Sequence, residues 1–411
     1  MRAAATAQDD LLAQARRLAT EITGLRRAIH AEPELGLQTP RTRDKIRLAL
    51  GHLPIRWREG PSTTGLVGVL QGRAPNSRSG RRVLLRGDMD ALPMPEDTGL
   101  PFASTIPNTM HACGHDAHVA MLAGAAELLA ARADRWSGEV LLMFQPGEEG
   151  WHGARFMLDD GLLGSAEAGT LPDAAFALHV MPNAPHGLVG GRAGALLASA
   201  DMLDITVQGA GGHASMPHQT RDPVPVACEI VTALQTLVTR QFDAHDPVVV
   251  TIARIEAGTT HNVIADVARL KGTMRSLSPA HRARLHEAVT RLATGIAAAH
   301  DMAAEVTITN GFPVTLCDPR AVDLGERVTR DLLGAEAFRR LDAPIMGAED
   351  FAYVLDLVPG AMFFLGFAPQ GEDWTQCCGI HSPRMMLDES VMPRGAALLA
   401  GLAERFLAEG F

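Results

Sequence analysis

The sequence predicts an α/β fold in which a mostly parallel central sheet is flanked by helices, with a smaller α+β domain inserted into it. Two observations lead to this prediction. In the first half of the chain, short apolar runs alternate with longer helix-like segments, as is typical of parallel sheets. From about residue 190, strands with alternating polarity replace the buried runs. A chain of 411 residues is also longer than one small core supports, which favours two domains.

Three apolar runs in the first half, residues 83–85, 140–144 and 174–180, are predicted to be buried strands. A hairpin is predicted near residues 64–72. Helical spacing of apolar residues predicts four helices around these strands, over residues 8–31, 42–50, 117–131 and 154–160. Because ligands of such folds bind outside the carboxyl ends of the strands, the polar residues found there are the candidates for a functional site.

The second pattern predicts an α+β domain with the element order β-α-β-β-α-β. Its elements are expected over residues 201–208, 223–240, 247–256, 268–276, 279–300 and 304–309. Residues 190–311 are therefore assigned to an inserted domain. Residues 1–189 and 312–411 are assigned to one discontinuous domain.

Composition narrows the class of protein. The formal net charge is −10, from 37 basic and 47 acidic residues without long runs of one sign, which disfavours nucleic-acid and anionic-membrane binding. The N-terminal segment has no apolar core of a signal peptide, and no run of about 18 apolar residues is present. An odd number of cysteines, five, favours reduced thiols. We therefore expect a cytoplasmic protein without a nucleic-acid or membrane partner.

The densest cluster of potential metal ligands is residues 110–118, which contain Cys113 and His115. In extended backbone, residues two apart point the same way, so this thiolate and imidazole can hold one metal or bridge two. A loop with incidental polar residues would give the same pattern, and the segment alone does not decide between them.

Further candidates follow the predicted strands. Glu148 and Glu149 follow the second strand within a turn shaped by glycines, which favours a functional pair over a solvated acidic turn. His179 ends the third strand, and His381 lies near the C-terminus. Each histidine alone is weak evidence. Together the candidates supply five N, O and S donors, about what two catalytic metals with a shared ligand need: Cys113, His115, Glu149, His179 and His381.

Ten short motifs occur in order along nearly the whole chain. They are residues 26–30, 86–93, 111–116, 145–150, 178–180, 211–215, 262–264, 272–275, 349–351 and 381–383. Taken together they resemble the amidohydrolase branch of the aminoacylase and carboxypeptidase metallopeptidases. That branch includes hippurate hydrolases, auxin-conjugate hydrolases and N-acetyldiaminopimelate deacetylases.

The resemblance implies metal-dependent hydrolysis of an N-acyl-L-amino acid, hippurate-like or N-acetyl, to a carboxylic acid and a free amino acid. It implies two divalent ions per subunit, zinc or alternatively manganese, nickel or cobalt, all compatible with a thiolate ligand. It also implies that residues 190–311 form a lid and dimerisation domain and that residues 1–189 and 312–411 form the catalytic, metal-binding domain. A homodimer or homotetramer formed through the inserted domain is then expected.

The resemblance assigns roles by position. The five donors match the metal ligands, and Glu148 matches the general base. His213 matches a lid histidine that polarises the substrate carbonyl, often from the partner subunit. Asn262 and Arg275 match residues near the substrate carboxylate. Glu349 matches a further substrate-binding position. From their own positions, Asp88, Asp90 and Asp116 are predicted either to orient ligating histidines or to serve in a turn or helix cap.

Some positions depart from the family pattern. Thr39 stands where Glu is frequent, Ala265 replaces a Pro, and Cys317 stands where Asn is common. Cys377 and Cys378 precede the last histidine motif and are not typical. None of these departures removes a predicted ligand, and they leave the shape of the pocket open.

Three alternatives remain at this stage. A thiol hydrolase with Cys113 as nucleophile would leave Glu148, Glu149, His179 and His381 without a role. A catalytically inactive relative would usually have lost Glu148 or a ligand. A dipeptidase or carboxypeptidase of the wider family would share the same ligands.

Overall fold

The computed structural model describes residues 11–74, 80–164 and 169–411, and they form two compact units. Unit 1 comprises Met1–Leu196, Leu316–Ala343 and Asp350–Phe411. Unit 2 comprises Leu197–Thr315 and Pro344–Glu349. The assignment of residues 190–311 to a lid and dimerisation domain stays a prediction.

Unit 1 is built on one sheet of eight strands. In chain order they are β1 (Arg56–Glu59), β2 (Leu66–Gln71), β3 (Arg82–Asp88), β4 (Glu139–Gln145), β5 (Ala174–Met181) and β6 (Val189–Gly191), with β15 (Phe338–Arg340) and β16 (Gly360–Gly366) from the C-terminal part. Their order across the sheet is β1-β2-β4-β3-β5-β16-β6-β15. The central pairs β4·β3, β3·β5 and β5·β16 are parallel, as the fold prediction required.

The central strands are buried along almost their whole length, because helices cover a parallel sheet on both faces. The helices of unit 1 are Ala19–His30, Pro40–Leu50, His115–Ala131, Gly153–Asp159, Pro319–Leu333, Ala352–Leu355 and Met392–Glu409. His115–Ala131 is buried on nearly every side, so its first turn brings polar side chains into the interior.

Two predictions for unit 1 need correction. The segment predicted as one helix over residues 8–31 is interrupted at Leu18, between helical residues 11–17 and Ala19–His30. Residues 8–10 lie outside the described residues. The hairpin predicted near 64–72 is larger, because β1 pairs antiparallel with β2. Strand β1 reads Arg-Trp-Arg-Glu, which lacks the apolar run that marks a buried strand.

Unit 2 contains a four-stranded antiparallel sheet and two long helices. Its sheet strands are β8 (Asp201–Gln208), β10 (Val248–Ala257), β12 (Val267–Ser276) and β13 (Ala303–Asn310), in the order β10-β12-β8-β13. The helices are Pro223–Gln241 and Pro279–Ala299. They give the predicted β-α-β-β-α-β order, with a small ribbon of β9 (Gly212–His213) and β11 (Val263–Ile264) added.

Local chemistry explains the elements of unit 2. Both helices begin with proline, and the preceding Asp222 and Ser278 accept hydrogen bonds from backbone N–H groups of the first turn. In β8 burial alternates residue by residue, so Leu203, Ile205 and Val207 enter a core shared with the helices. Two short strands, β7 (Gly194–Leu197) and β14 (Thr315–Cys317), complete the fold.

Candidate membrane spans were sought among the described helices, and none is both long and apolar enough to cross a bilayer.

Candidate metal-binding active site

The predicted ligands gather at the carboxyl ends of neighbouring strands in unit 1. Strand β3 ends at Asp88, β4 ends just before the Glu148–Glu149 turn, and β5 carries His179 near its end. Because β3 lies between β4 and β5 in the sheet, these ends are adjacent. The segment with Cys113 and the first turn of helix His115–Ala131 reach the same edge.

Three of the predicted ligands form a buried group. One ligand atom from each of Cys113, His115 and His179 lies within 4.8 Å of the others. Cys113 Sγ is 3.5 Å from His179 Nε2. Gly114, between the first two, has a φ of +82° and no room for a side chain, since a Cβ would lie 2.3 Å from Val180 Cγ2. Glycine therefore permits the tight turn that brings Cys113 beside His115.

A second group is more exposed and shares one member with the first. It consists of Cys113, Glu149 and His381. His381 Nε2 lies 3.3 Å from Glu149 Oε1, and the His381 side chain is half exposed. Its backbone has a φ of +64°, and its N–H donates to the carbonyl of Ala112 at 2.7 Å. The thiol of Cys113 thus stands between two donor groups.

Hydrogen bonds fix which ring nitrogens carry lone pairs. His115 Nδ1 donates to the carbonyl of Asp90 at 2.8 Å, and His179 Nδ1 donates to the carbonyl of Val180 at 2.7 Å. The neutral rings therefore present unprotonated Nε2 atoms to the group. His115 Nε2 is buried and lies 3.2 Å from Asp88 Oδ2, 3.9 Å from Glu149 Oε1 and 4.0 Å from Glu148 Oε2. A ring nitrogen that faces carboxylate oxygens beside a thiol fits a divalent cation.

The thiol of Cys113 and the imidazole of His381 hold their protons more strongly in the metal-free protein than they would in water. Burial raises the pKa of the Cys113 thiol. Hydrogen bonds to Cys113 and Glu149 raise the pKa of His381 to about 10. Both groups must lose a proton to ligate a cation, so metal loading of this site is expected to release protons.

Asp90, a residue predicted to orient a ligating histidine, also holds the Glu148–Glu149 turn, a contact that the sequence did not indicate. The two carboxylate oxygens of Asp90 accept from the backbone N–H groups of Glu148 and Glu149, at 2.9 and 3.0 Å. Glu148 is buried, and its Oε2 lies 4.0 Å from His115 Nε2. These two hydrogen bonds therefore fix the backbone of both glutamates relative to the donor groups.

Asp88 and Asp116 were both predicted to orient ligating histidines, and the structure separates them. Asp88 Oδ2 lies 3.2 Å from His115 Nε2 and forms an ion pair with Arg86. Asp116 instead accepts from Arg26 at 2.7 Å and contacts His30 Nδ1 at 2.7 Å, and neither is a predicted ligand. His115, next to Asp116 in the sequence, is a predicted ligand, but the Asp116 side chain contacts Arg26 and His30 instead.

The sequence predicted no role for Asp350. Its carboxylate connects the elements beneath the site through hydrogen bonds. Its carboxylate accepts from Arg86 Nη2 at 3.2 Å, from Gln145 Nε2 at 2.7 Å and from the backbone N–H of Ala154 at 2.9 Å. These donors come from β3, β4 and the following helix. The sequence motif contained Asp350, but its partners are too distant in sequence to be inferred.

The remaining predicted residues belong to unit 2. His213, on β9, and Asn262, just before β11, are exposed, Arg275 on β12 is half buried, and Glu349 is buried. The backbone N–H of Ser215 donates to His213 Nδ1 at 3.1 Å, so the neutral ring carries its proton on Nε2. Arg275 makes no side-chain hydrogen bond or ion pair with any other described residue, and burial lowers its pKa.

The family model for "Peptidase family M20/M25/M40" matches residues 84–405. The chain therefore belongs to this family, and it is a hydrolase of the amidohydrolase kind. The predicted family resemblance and fold class are thereby confirmed.

Individual relatives span the whole fold. An IAA-amino acid hydrolase of Arabidopsis thaliana is 38% identical over 94% of this chain and 85% of its own length. An N-acetylcysteine deacetylase of Bacillus subtilis is 36% identical over 93% of this chain and 96% of its own. A dinuclear metal-binding M20 peptidase from Bacillus subtilis superimposes with a TM-score of 0.80 at 32% identity, covering 95% of this chain and 99% of that one.

Proposed function

We propose that this protein is a dinuclear metal amidohydrolase that cleaves the amide bond of N-acyl-L-amino acids, hippurate-like or N-acetyl. The observation that carries the proposal is the pair of donor groups that share Cys113, beside the carboxylate of Glu148. The relatives named above as an amino acid conjugate hydrolase and a deacetylase act on this class of substrate.

In this proposal Cys113, His115, Glu149, His179 and His381 hold two divalent cations, zinc or alternatively manganese, nickel or cobalt. When bound, such cations supply Lewis-acid chemistry: they acidify water and polarise a carbonyl. Glu148 takes the proton from the attacking water and later delivers it to the leaving amine. Asp90 keeps Glu148 at that position through its hydrogen bond to the backbone N–H.

Residues of unit 2 are proposed to act on the substrate. The Nε2–H of His213 is a donor suited to an amide carbonyl that gains negative charge. Arg275, together with Asn262 and Glu349, is proposed to bind the substrate at its amino-acid end. A half-buried guanidinium that forms no ion pair with a described side chain, and has only a longer-range interaction with Asp201, suits a free carboxylate.

We further propose a cytoplasmic protein, since all five cysteines are free thiols. We propose a homodimer or homotetramer through residues 190–311, and no nucleic-acid or membrane partner.

The first test measures amine release from hippurate and from N-acetyl amino acids, before chelation, after chelation and after metal is returned. We expect release to stop on chelation and to return with zinc, manganese, nickel or cobalt. Release that continues after metal analysis shows complete stripping would overturn the proposal in favour of a Cys113 thiol hydrolase.

A pair of variants separates the two adjacent glutamates. Glu148→Gln should lower kcat by roughly 10³-fold while both metals still bind, because only the proton acceptor is removed. Glu149→Gln should lower metal occupancy as well. Metal analysis and turnover on the same preparations distinguish the two losses, and near-normal turnover in Glu148→Gln contradicts its role as general base.

A second candidate is a peptidase activity on the same centre. A thermostable carboxypeptidase of Saccharolobus solfataricus is 36% identical over 94% of this chain and 95% of its own. Dipeptides and N-blocked dipeptides belong in the same assay, and a higher kcat/KM on them than on N-acyl amino acids would favour this candidate.

A further inference from the structure

His118 lies next to the proposed metal centre without matching any predicted ligand. It occupies the first turn of helix His115–Ala131 and is buried. Its ring centroid is 4.6 Å from that of His179 and 5.4 Å from that of His115. Asp88, His115 and His118 also form one of the groups whose ligand atoms lie within 4.8 Å of one another. Position alone would allow His118 to be a sixth ligand.

Its hydrogen bonds exclude that role for both ring nitrogens. The backbone N–H of Val180 donates to His118 Nε2 at 2.9 Å, which occupies the lone pair of that atom. The proton of the neutral ring is then on Nδ1, which donates to Asp88 Oδ1 at 2.5 Å. His118 has no lone pair left for a cation.

The same two bonds connect His118 to two predicted ligands. Val180, whose N–H the ring accepts, offers its carbonyl to His179 Nδ1 at 2.7 Å. Pairing of β5 with β3 ends at Ala177 and Arg86, so the ring of His118 replaces a strand partner for Val180. At the other end, the second oxygen of Asp88 lies 3.2 Å from His115 Nε2, the nitrogen proposed to face the metals. The ring of His118 thus braces a ligand on β5 and holds a carboxylate at the edge of the donor group.

We propose that His118 is a positioning residue: as the Nδ1–H tautomer, it holds Val180 so that His179 presents its Nε2 lone pair to the metals, and it holds the carboxylate of Asp88 at the edge of the donor group. The inference rests on the proposed metal centre, since it names what orients one of its ligands. Groups behind a ligating histidine set its tautomer and ring orientation, and their loss typically lowers metal affinity about 10- to 100-fold.

Two substitutions separate the roles of the two ring nitrogens of His118. His118→Asn keeps an N–H near Asp88 but removes the acceptor for Val180. His118→Gln places a carbonyl oxygen within reach of the Val180 N–H. His111→Asn is the matched control, because His111 is buried in the preceding segment and its ring nitrogens have no hydrogen-bond partner among the described residues.

Metal affinity is measured by competition with a chelator, and histidine tautomers by ¹⁵N NMR of the metal-free and zinc-loaded protein. We expect a 10- to 100-fold weaker affinity in His118→Asn, with His179 losing its single tautomer, and substantial recovery in His118→Gln. His111→Asn should keep both the affinity and the His179 tautomer.

Wild-type protein provides an independent readout if a variant fails to fold. Its His118 should carry a proton on Nδ1 and none on Nε2, with and without zinc. A proton on Nε2, a zinc-induced shift of His118 typical of ligation, or unchanged affinity in a folded His118→Asn would overturn the proposal. None of these measurements requires hydrolysis, so failure of the proposed substrate class would be seen separately.

Discussion

The candidate residues of the two units differ in how they are held. In unit 1, Cys113, His115 and His179 are buried, and hydrogen bonds from strand ends and the neighbouring helix fix their orientation. In unit 2, His213 and Asn262 are exposed on a two-stranded ribbon and oriented only by local contacts. The candidate residues of unit 1 are thus held in a buried arrangement, whereas His213 and Asn262 are exposed and contact near neighbours in the sequence. Substitutions in unit 1 should therefore lower metal content and turnover, whereas those in unit 2 should lower turnover or substrate affinity alone.

The largest expected effect is the loss of the shared thiol in unit 1. Cys113→Ala should abolish binding of at least one metal and lower turnover by roughly 10³-fold or more, because both donor groups lose a member. Metal content and turnover check this. Cys228→Ala, an exposed cysteine of unit 2, is the control and should match wild type. A variant with full metal content but no turnover would point instead to a nucleophilic Cys113.

In unit 2, His213→Ala should lower kcat by about 10²- to 10³-fold, the usual effect of removing one donor to a developing oxyanion. Metal content should stay unchanged, in contrast to Cys113→Ala. His218→Ala, an exposed histidine in the following turn Pro217–Gln219, serves as the control. If His213→Ala loses metal, the proposed division of roles between the units is wrong.

Unit 1 also contains a buried histidine, His30, that is not a proposed ligand and whose pKa is shifted by two neighbouring carboxylates. Burial alone lowers the pKa of His30, but Asp116 and Glu96 outweigh it and raise this pKa from 6.5 to about 9. Charged His30 therefore stabilises the fold fully below pH 6.5, and its contribution of about 3 kcal/mol is lost as pH rises through 9. Denaturant unfolding of wild type and His30→Gln between pH 6 and pH 9.5, flanking those pKa values, measures it. A constant difference between them across this range would contradict the assignment.

The smallest effect is expected at the proposed carboxylate site of unit 2. Arg275→Ala should raise KM about 10- to 100-fold for substrates with a free carboxylate, since a hydrogen bond to a charged group is lost. Substrates with an amidated carboxylate should be much less affected by the variant. Arg254→Ala, an exposed arginine of β10 paired with Glu256, is the matched control. Equal KM changes on both substrates would remove Arg275 from carboxylate recognition.

Sequence patterns predicted most of the fold because each element has a local signature. Strand β8 was predicted at its observed bounds from alternation alone, and the central strands from short apolar runs. The charged strand β1 has no such signature, and its place depends on pairing with β2. The interruption at Leu18 likewise has no local marker such as proline or glycine.

The candidate site was predicted to the extent that its donors lie in compact motifs. Cys113 and His115 are two residues apart, and Glu148 adjoins Glu149. Asp88, Asp90 and Asp116 were predicted as supporting residues, but their actual partners were not, because those partners are far apart in sequence. Asp116 meets Arg26 across 90 residues, and Arg86 meets Asp350 across 264. Only the folded chain shows which carboxylate faces a ligand and which faces an arginine.

The unequal burial of the two donor groups has a kinetic consequence. His381 is half exposed on a loop with a positive φ, whereas His115 and His179 are enclosed. A cation held by the His381 group should therefore exchange with solution much faster than its neighbour. Brief dialysis against a chelator, followed by a second element, should then yield a mixed-metal enzyme with one original ion retained. The uneven enclosure of the centre would thus let each position be labelled separately for spectroscopy.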